Sequence, residues 1–183
     1  MRKRAHKQRR RRRTTRCRTW NYSSRGWYFL TIVTHKRRPF FGYVQDHAMH
    51  LSPFGEVIME EWNKSIALRP HMRFDYIIVM PEHVHMLVYI KKQLVRVPGY
   101  KVGHTFQRLP KSISSFMAQF KAMCVRQIRI KFNYVKPVWR PNYHDHIIRD
   151  IGVLRVRSYM RNNPKNYRHK RDDFSYNTRA QSK

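Results

Sequence analysis

The chain has 183 residues, of which 41% are apolar and 14% aromatic, a composition that excludes an intrinsically disordered protein and fits one folded domain with appendages. Its 40 Lys and Arg stand against 10 Asp and Glu, so the formal net charge is +30 and the expected partner is a polyanion, nucleic acid above all. The sequence has no run of about 18 apolar residues, which excludes a membrane-spanning helix, and its two cysteines indicate a reduced, cytoplasmic environment.

The N-terminal residues form a basic segment. Residues 1–18 contain 11 Lys or Arg and no acid, so they repel one another and have too few apolar residues to fold alone. We therefore expect residues 1–24 to be a disordered arm that binds phosphates by counterion release, the alternative being a solvated tail or a processing segment. The arm residues expected to contact DNA are Arg9, Arg10, Arg11, Arg12 and Arg13.

Periodicity and capping residues predict the elements of the body. Ser52 with Pro53, and later Ser112, are typical of helix starts, whereas Pro70 and Pro164 end helices. Runs rich in β-branched and aromatic residues predict strands, two of them joined by a tight turn. In chain order we predict strand 27–35, helix 53–69, strands 72–80 and 83–90, a surface loop 91–110, helix 112–130, strand 144–150 and helix 153–163.

This order predicts an α+β protein with a ferredoxin-like β-α-β-β-α-β sandwich and an added C-terminal helix. Because many binding proteins and enzymes share that fold, the order alone does not indicate a function.

Two histidines open the second strand of the predicted hairpin. Because side chains alternate along a strand, His83 and His85 lie on one face and Val84 on the other. Neutral imidazoles suit a divalent metal ion and leave positions for a third ligand and a substrate oxygen. The alternative is a pair of surface histidines on the polar side of a half-buried strand.

The last predicted helix carries a second pair of candidates. Tyr159 and Asn163 are four residues apart and therefore lie on the same side of the helix. The Asn amide offers an oxygen to a hard metal ion, and the Tyr phenol offers an oxygen that can attack phosphorus. The alternative is a packed tyrosine and an ordinary asparagine at a helix C-terminus before Pro164.

Three separated stretches together carry a resemblance to a known family. They are Met80 to His85 (MPEHVH), Trp139 to Asp150 (WRPNYHDHIIRD) and Tyr159 to Pro164 (YMRNNP). In this order they resemble the IS200-like single-tyrosine transposases of the HUH class, and within them the REP-associated tyrosine transposases. The resemblance covers residues 25–174, which we take as the catalytic domain, followed by a polar tail at 175–183.

The resemblance implies a role for each candidate. His83 and His85 match the family's metal-binding pair, Asn163 its third ligand and Tyr159 its nucleophile, with Mg²⁺ or Mn²⁺ as the metal ion. The implied reaction cuts single-stranded DNA that carries a hairpin, forms a 5′-phosphotyrosine link and releases a 3′-hydroxyl, so that the strand can be rejoined elsewhere. Further DNA contacts are expected at Arg37, Arg38, Lys121, His146 and Arg149.

Other interpretations stay open at this point. His144 and His146 repeat the same-face alternation, so a second metal site is the alternative to a DNA-contacting role. Arg155 and Arg157 stand where relatives more often carry acids, and cations there oppose the helix dipole and are expected to weaken the last helix. The alternative functions are an inactivated relative and a non-catalytic, basic nucleic-acid-binding protein. The sequence leaves open a monomer or a homodimer, and a nucleoid-associated location is expected.

Overall fold

A computed structural model describes residues 20–92 and 109–167 of the chain. The predicted DNA contacts in the arm from Arg9 to Arg13, most of the predicted loop 91–110 and the tail 175–183 lie outside the described residues. The described strands and helices are β1 (Gly26–Val33), β2 (Gly42–Gln45), β3 (Ala48–Leu51), α1 (Pro53–Leu68), β4 (Met72–Met80), β5 (His83–Ile90), α2 (Ile113–Phe132), β6 (His144–Ile148) and α3 (Val153–Arg161).

The predicted α+β architecture is confirmed. β1, α1, β4, β5, α2 and β6 follow one another in the ferredoxin-like order, and α3 is the added C-terminal helix. The four long strands form one antiparallel sheet in the order β4-β5-β1-β6. β1 is therefore an inner strand although it comes first in the chain, because β5 pairs with it on one side and β6 on the other.

One face of the sheet is covered by α1 and α2 and holds the main core. The alternate residues Tyr28, Leu30 and Ile32 of β1 are fully buried there, as are Val84 and Met86 of β5. Burying a side chain of this size contributes about 1.5–3 kcal/mol. The helices contribute the buried side chains Val57, Ile58, Phe116, Met117 and Phe120.

The opposite face of the sheet, here called the α3 face, is covered only in part. Leu87 and Ile148 on the strands pack against Val153 and Met160 of α3, and this small cluster is separate from the main core. Because α3 has nine residues, it covers a limited area of the face. Other side chains of the α3 face, such as His144 and His146, are exposed to solvent.

The predicted helix caps are present. Ser52 begins α1, where its Oγ accepts a hydrogen bond from the Gly55 N–H at 3.2 Å. Ser112 begins α2 in the same way, accepting from the Ser115 N–H at 3.2 Å. Each cap satisfies an N–H that has no partner within the helix and contributes about 1 kcal/mol. None of the helices in the described ranges is long and apolar enough to cross a membrane.

The fold contains a small sheet that the sequence did not predict. β2 and β3 form a separate antiparallel pair between β1 and α1. Each strand has four residues and is largely exposed, so neither carries a strong apolar alternation. Gly42 begins β2 at φ 133°, and a Cβ at that position would overlap the backbone oxygen of His50. Only glycine fits this position without strain.

The folded body begins earlier than expected. Trp20 and Tyr22 pack against the main core, although residues 20–24 were assigned to the disordered arm. The Tyr22 hydroxyl donates to Asp145 Oδ2 at 2.5 Å, and the Ile113 N–H donates to the Tyr22 backbone oxygen at 3.0 Å. These aromatic side chains gain burial and hydrogen bonds, so residues 20–24 pack with the folded body.

Candidate active site

The two histidines share the α3 face as their alternation predicts. His83 and His85 begin β5, and their ring centroids lie 4.6 Å apart. His83 is half-buried, whereas His85 is 6% exposed. Strand geometry thus holds two imidazoles side by side, within reach of one shared ligand.

His85 is enclosed by residues of β1. Its Nδ1 lies 2.8 Å from Thr31 Oγ1, and its ring stacks on Phe29 with the centroids 4.9 Å apart. Burial and the neighbouring His83 together lower the pKa of His85 to about 3, against a smaller opposing effect of Glu82. His85 is therefore neutral at physiological pH, and a neutral imidazole is the form that binds metal ions.

His83 is held by the carboxylate that precedes it. Glu82 Oε1 lies 3.1 Å from His83 Nδ1, and Glu82 Oε2 accepts a hydrogen bond of 2.8 Å from the Tyr167 hydroxyl. Burial alone would raise the pKa of Glu82, but the hydrogen bonds from His83 and Tyr167 outweigh it, so the pKa is lowered. Glu82 is therefore an ionised carboxylate at neutral pH.

The turn that carries Glu82 is fixed by its neighbours. The Thr34 N–H and Oγ1 both donate to the Glu82 backbone oxygen, at 2.9 and 3.0 Å. The Phe41 N–H donates to the Pro81 oxygen at 3.1 Å. The predicted two-residue connection between β4 and β5 is thus tied to the segment that follows β1, which limits the movement of His83.

Tyr159 of α3 lies against the histidine pair. Its ring centroid is 5.6 Å from that of His85 and 6.0 Å from that of Phe29, both in edge-to-face contact. The side chain nevertheless stays 53% exposed. The fold thus places Tyr159 beside the histidines and leaves its side chain accessible to a substrate.

An ion pair anchors α3 to the sheet. Arg157 Nε and Nη2 donate to Asp75 Oδ2 and Oδ1 at 2.7 and 2.6 Å, a bidentate arrangement. Asp75 lies at a β-bulge between Phe74 and Tyr76 of β4, and a bulge redirects a side chain out of the regular alternation. Arg157 is therefore not an unpaired cation, because a buried carboxylate neutralises its charge, whereas Arg155 is exposed. The expected weakening of the helix stays a prediction.

Asn163 lies beyond the helix rather than within it. α3 ends at Arg161, and the Asn163 N–H donates to the Met160 oxygen at 3.2 Å in a tighter turn. The predicted helix end at residue 163 is therefore wrong by two residues. Pro164 accounts for the difference, because a residue before proline disfavours the α-helical conformation. Asn163 is half-buried and follows Tyr159 by about one turn of chain.

The histidines of β6 also point to the α3 face. His144 pairs with Thr31 of β1, which pairs with His85 on its other side, and His146 pairs with Phe29. Both β6 histidines are exposed, and His144 is two strands from His85, on the order of 10 Å at the usual strand spacing. They extend the face beyond the first histidine pair, and Arg149 follows them, exposed at the end of β6.

Two of the remaining predicted DNA contacts, Arg37 and Arg38, lie at one end of the sheet. Arg37 and Arg38 lie in and just after a single 3-10 turn that follows β1, at the sheet end where Val33 pairs with His83. Arg37 is exposed. These two arginines therefore lie at the same end of the sheet as the first histidine.

Lys121 belongs to α2 on the opposite side of the sheet. Its Nζ donates to the backbone oxygens of Arg140 and Asn142 at 2.9 and 2.8 Å, and burial lowers its pKa to about 8. The Lys121 ammonium thus holds the segment before β6, and the DNA contact expected of Lys121 stays a prediction.

The histidine pair fits a divalent metal ion by its chemistry. The two imidazoles are adjacent, and His85 is held neutral. Within residues 20–92 and 109–167, no group of three or more His, Cys, Asp and Glu side chains could hold a metal ion. Further ligands would have to be of another type, and the amide oxygen of Asn163 and a substrate oxygen are suitable candidates for a hard ion.

Four residues of the site were not among the sequence candidates. Thr31 and Tyr167 give no signal in a single sequence. Glu82 directly precedes the first histidine, which is a usable signal for a supporting carboxylate. Asp75 is the one acid of β4, and a buried acid indicates a cationic partner.

The chain is similar in sequence to a known protein. No family model matches it. An uncharacterised protein of Haemophilus influenzae is 31% identical over 159 residues, which cover 84% of this chain and 88% of that protein.

Two solved structures resemble the fold. A REP-associated tyrosine transposase bound to a REP hairpin superposes with a TM-score of 0.55 and 18% identity, covering 80% of this chain and 70% of that one. A transposase candidate from Deinococcus radiodurans superposes with a TM-score of 0.45 and 16% identity, covering 81% of this chain and 97% of that one. The first likeness confirms that the chain has the fold of a tyrosine transposase.

Proposed function

The chain belongs to the same family as the Haemophilus influenzae protein and has the fold of a REP-associated tyrosine transposase, and we propose that it is a transposase of the single-tyrosine type. Its reaction is the nicking and rejoining of single-stranded DNA. The observation that carries the proposal is the position of Tyr159, whose ring lies 5.6 Å from His85, the second member of the histidine pair. Packing alone does not require a half-exposed tyrosine beside two histidines.

In this proposal His83, His85 and Asn163 would hold Mg²⁺ or Mn²⁺. When bound there, such an ion would supply Lewis acidity toward a phosphoryl oxygen. His85 contributes a nitrogen that is uncharged at physiological pH, and Thr31 and Phe29 fix the plane of its ring. Asn163 would contribute a hard oxygen ligand.

Tyr159 is the nucleophile of the proposed reaction. Its phenolic oxygen forms a bond to the phosphorus of a phosphodiester, and the bond from that phosphorus to the 3′ oxygen breaks. The phenol proton passes to solvent, and the departing 3′ oxygen takes up a proton to become a 3′-hydroxyl. The 5′ end remains linked to Tyr159 as a phosphotyrosine. Attack by another 3′-hydroxyl reverses these steps and rejoins the strand.

The proposed substrate is single-stranded DNA that carries a hairpin. Its support is the fold neighbour that is bound to a REP hairpin, together with the formal net charge of +30. The exposed cations Arg37 and Arg149 and the exposed His146 would contact the strand on either side of Tyr159. The protein would act as a monomer or a homodimer in association with the nucleoid.

A covalent adduct tests the proposal. The protein is incubated with Mn²⁺ and an oligonucleotide that carries a hairpin, a single-stranded flank and a label 3′ of the cleavage site. The parent chain is expected to give a labelled species that survives denaturation, whereas Tyr159→Phe and a chelator abolish it. Tyr43→Phe is the matched control, because Tyr43 is 46% exposed and lies on the small β2–β3 sheet.

Binding of the DNA without any adduct would contradict the enzymatic proposal. It would favour the alternative of a non-catalytic nucleic-acid-binding protein. An adduct that persists in Tyr159→Phe would instead contradict the choice of nucleophile.

A further inference from the structure

The first histidine is linked through hydrogen bonds to the segment that follows α3. Glu82 bridges the two, with Oε1 at 3.1 Å from His83 Nδ1 and Oε2 accepting from the Tyr167 hydroxyl at 2.8 Å. The side chains of His83 and Glu82 are 15% and 16% exposed, so the bridge is largely shielded from water. The sequence analysis predicted no role for Glu82 or for Tyr167.

The chemistry of the bridge determines where the imidazole proton lies. Glu82 Oε2 accepts from the Tyr167 hydroxyl, and carboxylate oxygens are acceptors, so His83 Nδ1 at 3.1 Å from Oε1 is taken as the donor in this contact. A neutral imidazole has one N–H, and its Nε2 then presents a lone pair. The contact with Thr31 does not determine which ring nitrogen of His85 carries the proton, because a hydroxyl can donate to Nδ1 or accept from it.

We propose that Glu82 is a positioning residue, which holds His83 as the Nδ1–H tautomer with its Nε2 directed to a ligand, and that Tyr167 holds Glu82 in place. The proposal deepens the proposed function and rests on it only where it concerns the metal ion. Carboxylates that accept from a metal-binding histidine orient the ring and raise its basicity. The tautomer itself is a property of the metal-free chain.

Tyr167 also connects the bridge to the chain segment that carries Asn163. It follows Asn163 by four residues, and its N–H donates to the Pro164 oxygen at 3.3 Å, so it belongs to the turn that follows α3. The hydrogen bond to Glu82 therefore ties the chain segment of Asn163 to the turn before His83. Two parts of the candidate site that are distant in sequence are thus held at a fixed separation.

The tautomer of His83 is measured first, in the metal-free protein, by ¹⁵N–¹H correlation spectra of the histidine rings. The parent chain is expected to show His83 protonated on Nδ1. Glu82→Ala is expected to shift His83 toward the Nε2–H form, whereas Glu82→Gln keeps an accepting oxygen and retains the parent tautomer. Glu56→Ala, which removes an exposed carboxylate of α1, is the matched control and leaves the spectrum of His83 unchanged.

The Nε2–H form in the parent chain, or the same tautomer in the parent and in Glu82→Ala, would overturn the proposal. This measurement decides it even if Glu82→Ala folds poorly, because the parent spectrum alone is informative. It also separates the proposal from the proposed function, since it requires neither DNA nor an adduct.

Affinity for Mn²⁺ is the second readout, measured by calorimetry on the full chain. Glu82→Ala is expected to weaken Mn²⁺ binding roughly 10–100-fold, the usual effect of losing such a carboxylate. Tyr167→Phe removes only the hydroxyl and is expected to weaken binding in the same direction by less. Equal affinities of the parent, Glu82→Ala and Glu56→Ala would overturn the role of Glu82.

Discussion

The ion pair between α3 and β4 provides a direct test of how Tyr159 is held over the sheet. Arg157→Met removes both hydrogen bonds to Asp75, whose side chain is 7% exposed, and keeps a side chain of similar length. Arg73 Nη2 stays near the same carboxylate at 3.4 Å as a weaker partner. The variant therefore leaves a buried charge with incomplete compensation.

The size of the effect follows from burial. Breaking a fully buried ion pair costs about 3–5 kcal/mol, whereas an exposed pair contributes about 0–1 kcal/mol. The Arg157 side chain is 28% exposed, and Arg73 compensates in part, so we expect about 2 kcal/mol, roughly a 30-fold change in an equilibrium. α3 has nine residues and no side-chain cap at Gly152, so it is marginal without its packing and opens locally.

Hydrogen exchange of backbone amides measures this opening. In Arg157→Met the α3 amides are expected to exchange roughly 30-fold faster, while those of β1 change little, because the sheet does not depend on the pair. Arg155→Met is the matched control, since it removes the same charge from an exposed position of the same helix. Equal α3 protection in the two variants would refute the reasoning, as would no coupling between Arg157→Met and Asp75→Asn in a double-mutant cycle.

Three further predictions concern stability. Ser52→Ala removes the cap on the Gly55 N–H, and chemical denaturation should show a loss of about 1 kcal/mol, with an unchanged midpoint counting against the cap. Gly42→Ala forces a Cβ against the His50 backbone at a positive φ and should cost about 2–3 kcal/mol in the same assay; a neutral effect would show that the β2–β3 sheet adjusts freely. Burial lowers the pKa of Lys121 from 10.5 to about 8, so above pH 8 the native state loses this proton before the unfolded state does. The free energy of unfolding of the parent should therefore rise between pH 8 and 10.5 relative to Lys121→Met, and parallel pH profiles would contradict this shift.

Local patterns predicted most of the secondary structure. The bounds of β4 and β5 agree with the predicted strands, because two apolar runs joined by Pro81 and Glu82 leave little choice of register. The serine caps and the apolar stripes likewise placed α1 and α2. The small β2–β3 sheet was missed because its strands are short and exposed.

Local patterns also predicted part of the candidate site. Strand alternation places His83 and His85 on one face whatever the rest of the fold, so that inference needs only the sequence. The metal-binding and nucleophilic roles come from the family resemblance and stay predictions. The ion pair of Arg157 could not be predicted, because the helix dipole is a local argument and the bulged Asp75 that neutralises the charge is 82 residues away.

The sequence by itself thus determined the order of the elements, the basic character of the chain and the pairing of two histidines on one face. Only the tertiary structure decided which side chains meet across the fold, such as Thr31 with His85, 54 residues apart, and Glu82 with Tyr167, 85 residues apart. The physical reason is that periodicity and capping act within a few residues of chain. Contacts at a site depend instead on sheet register and helix docking, which the packing of the whole domain determines.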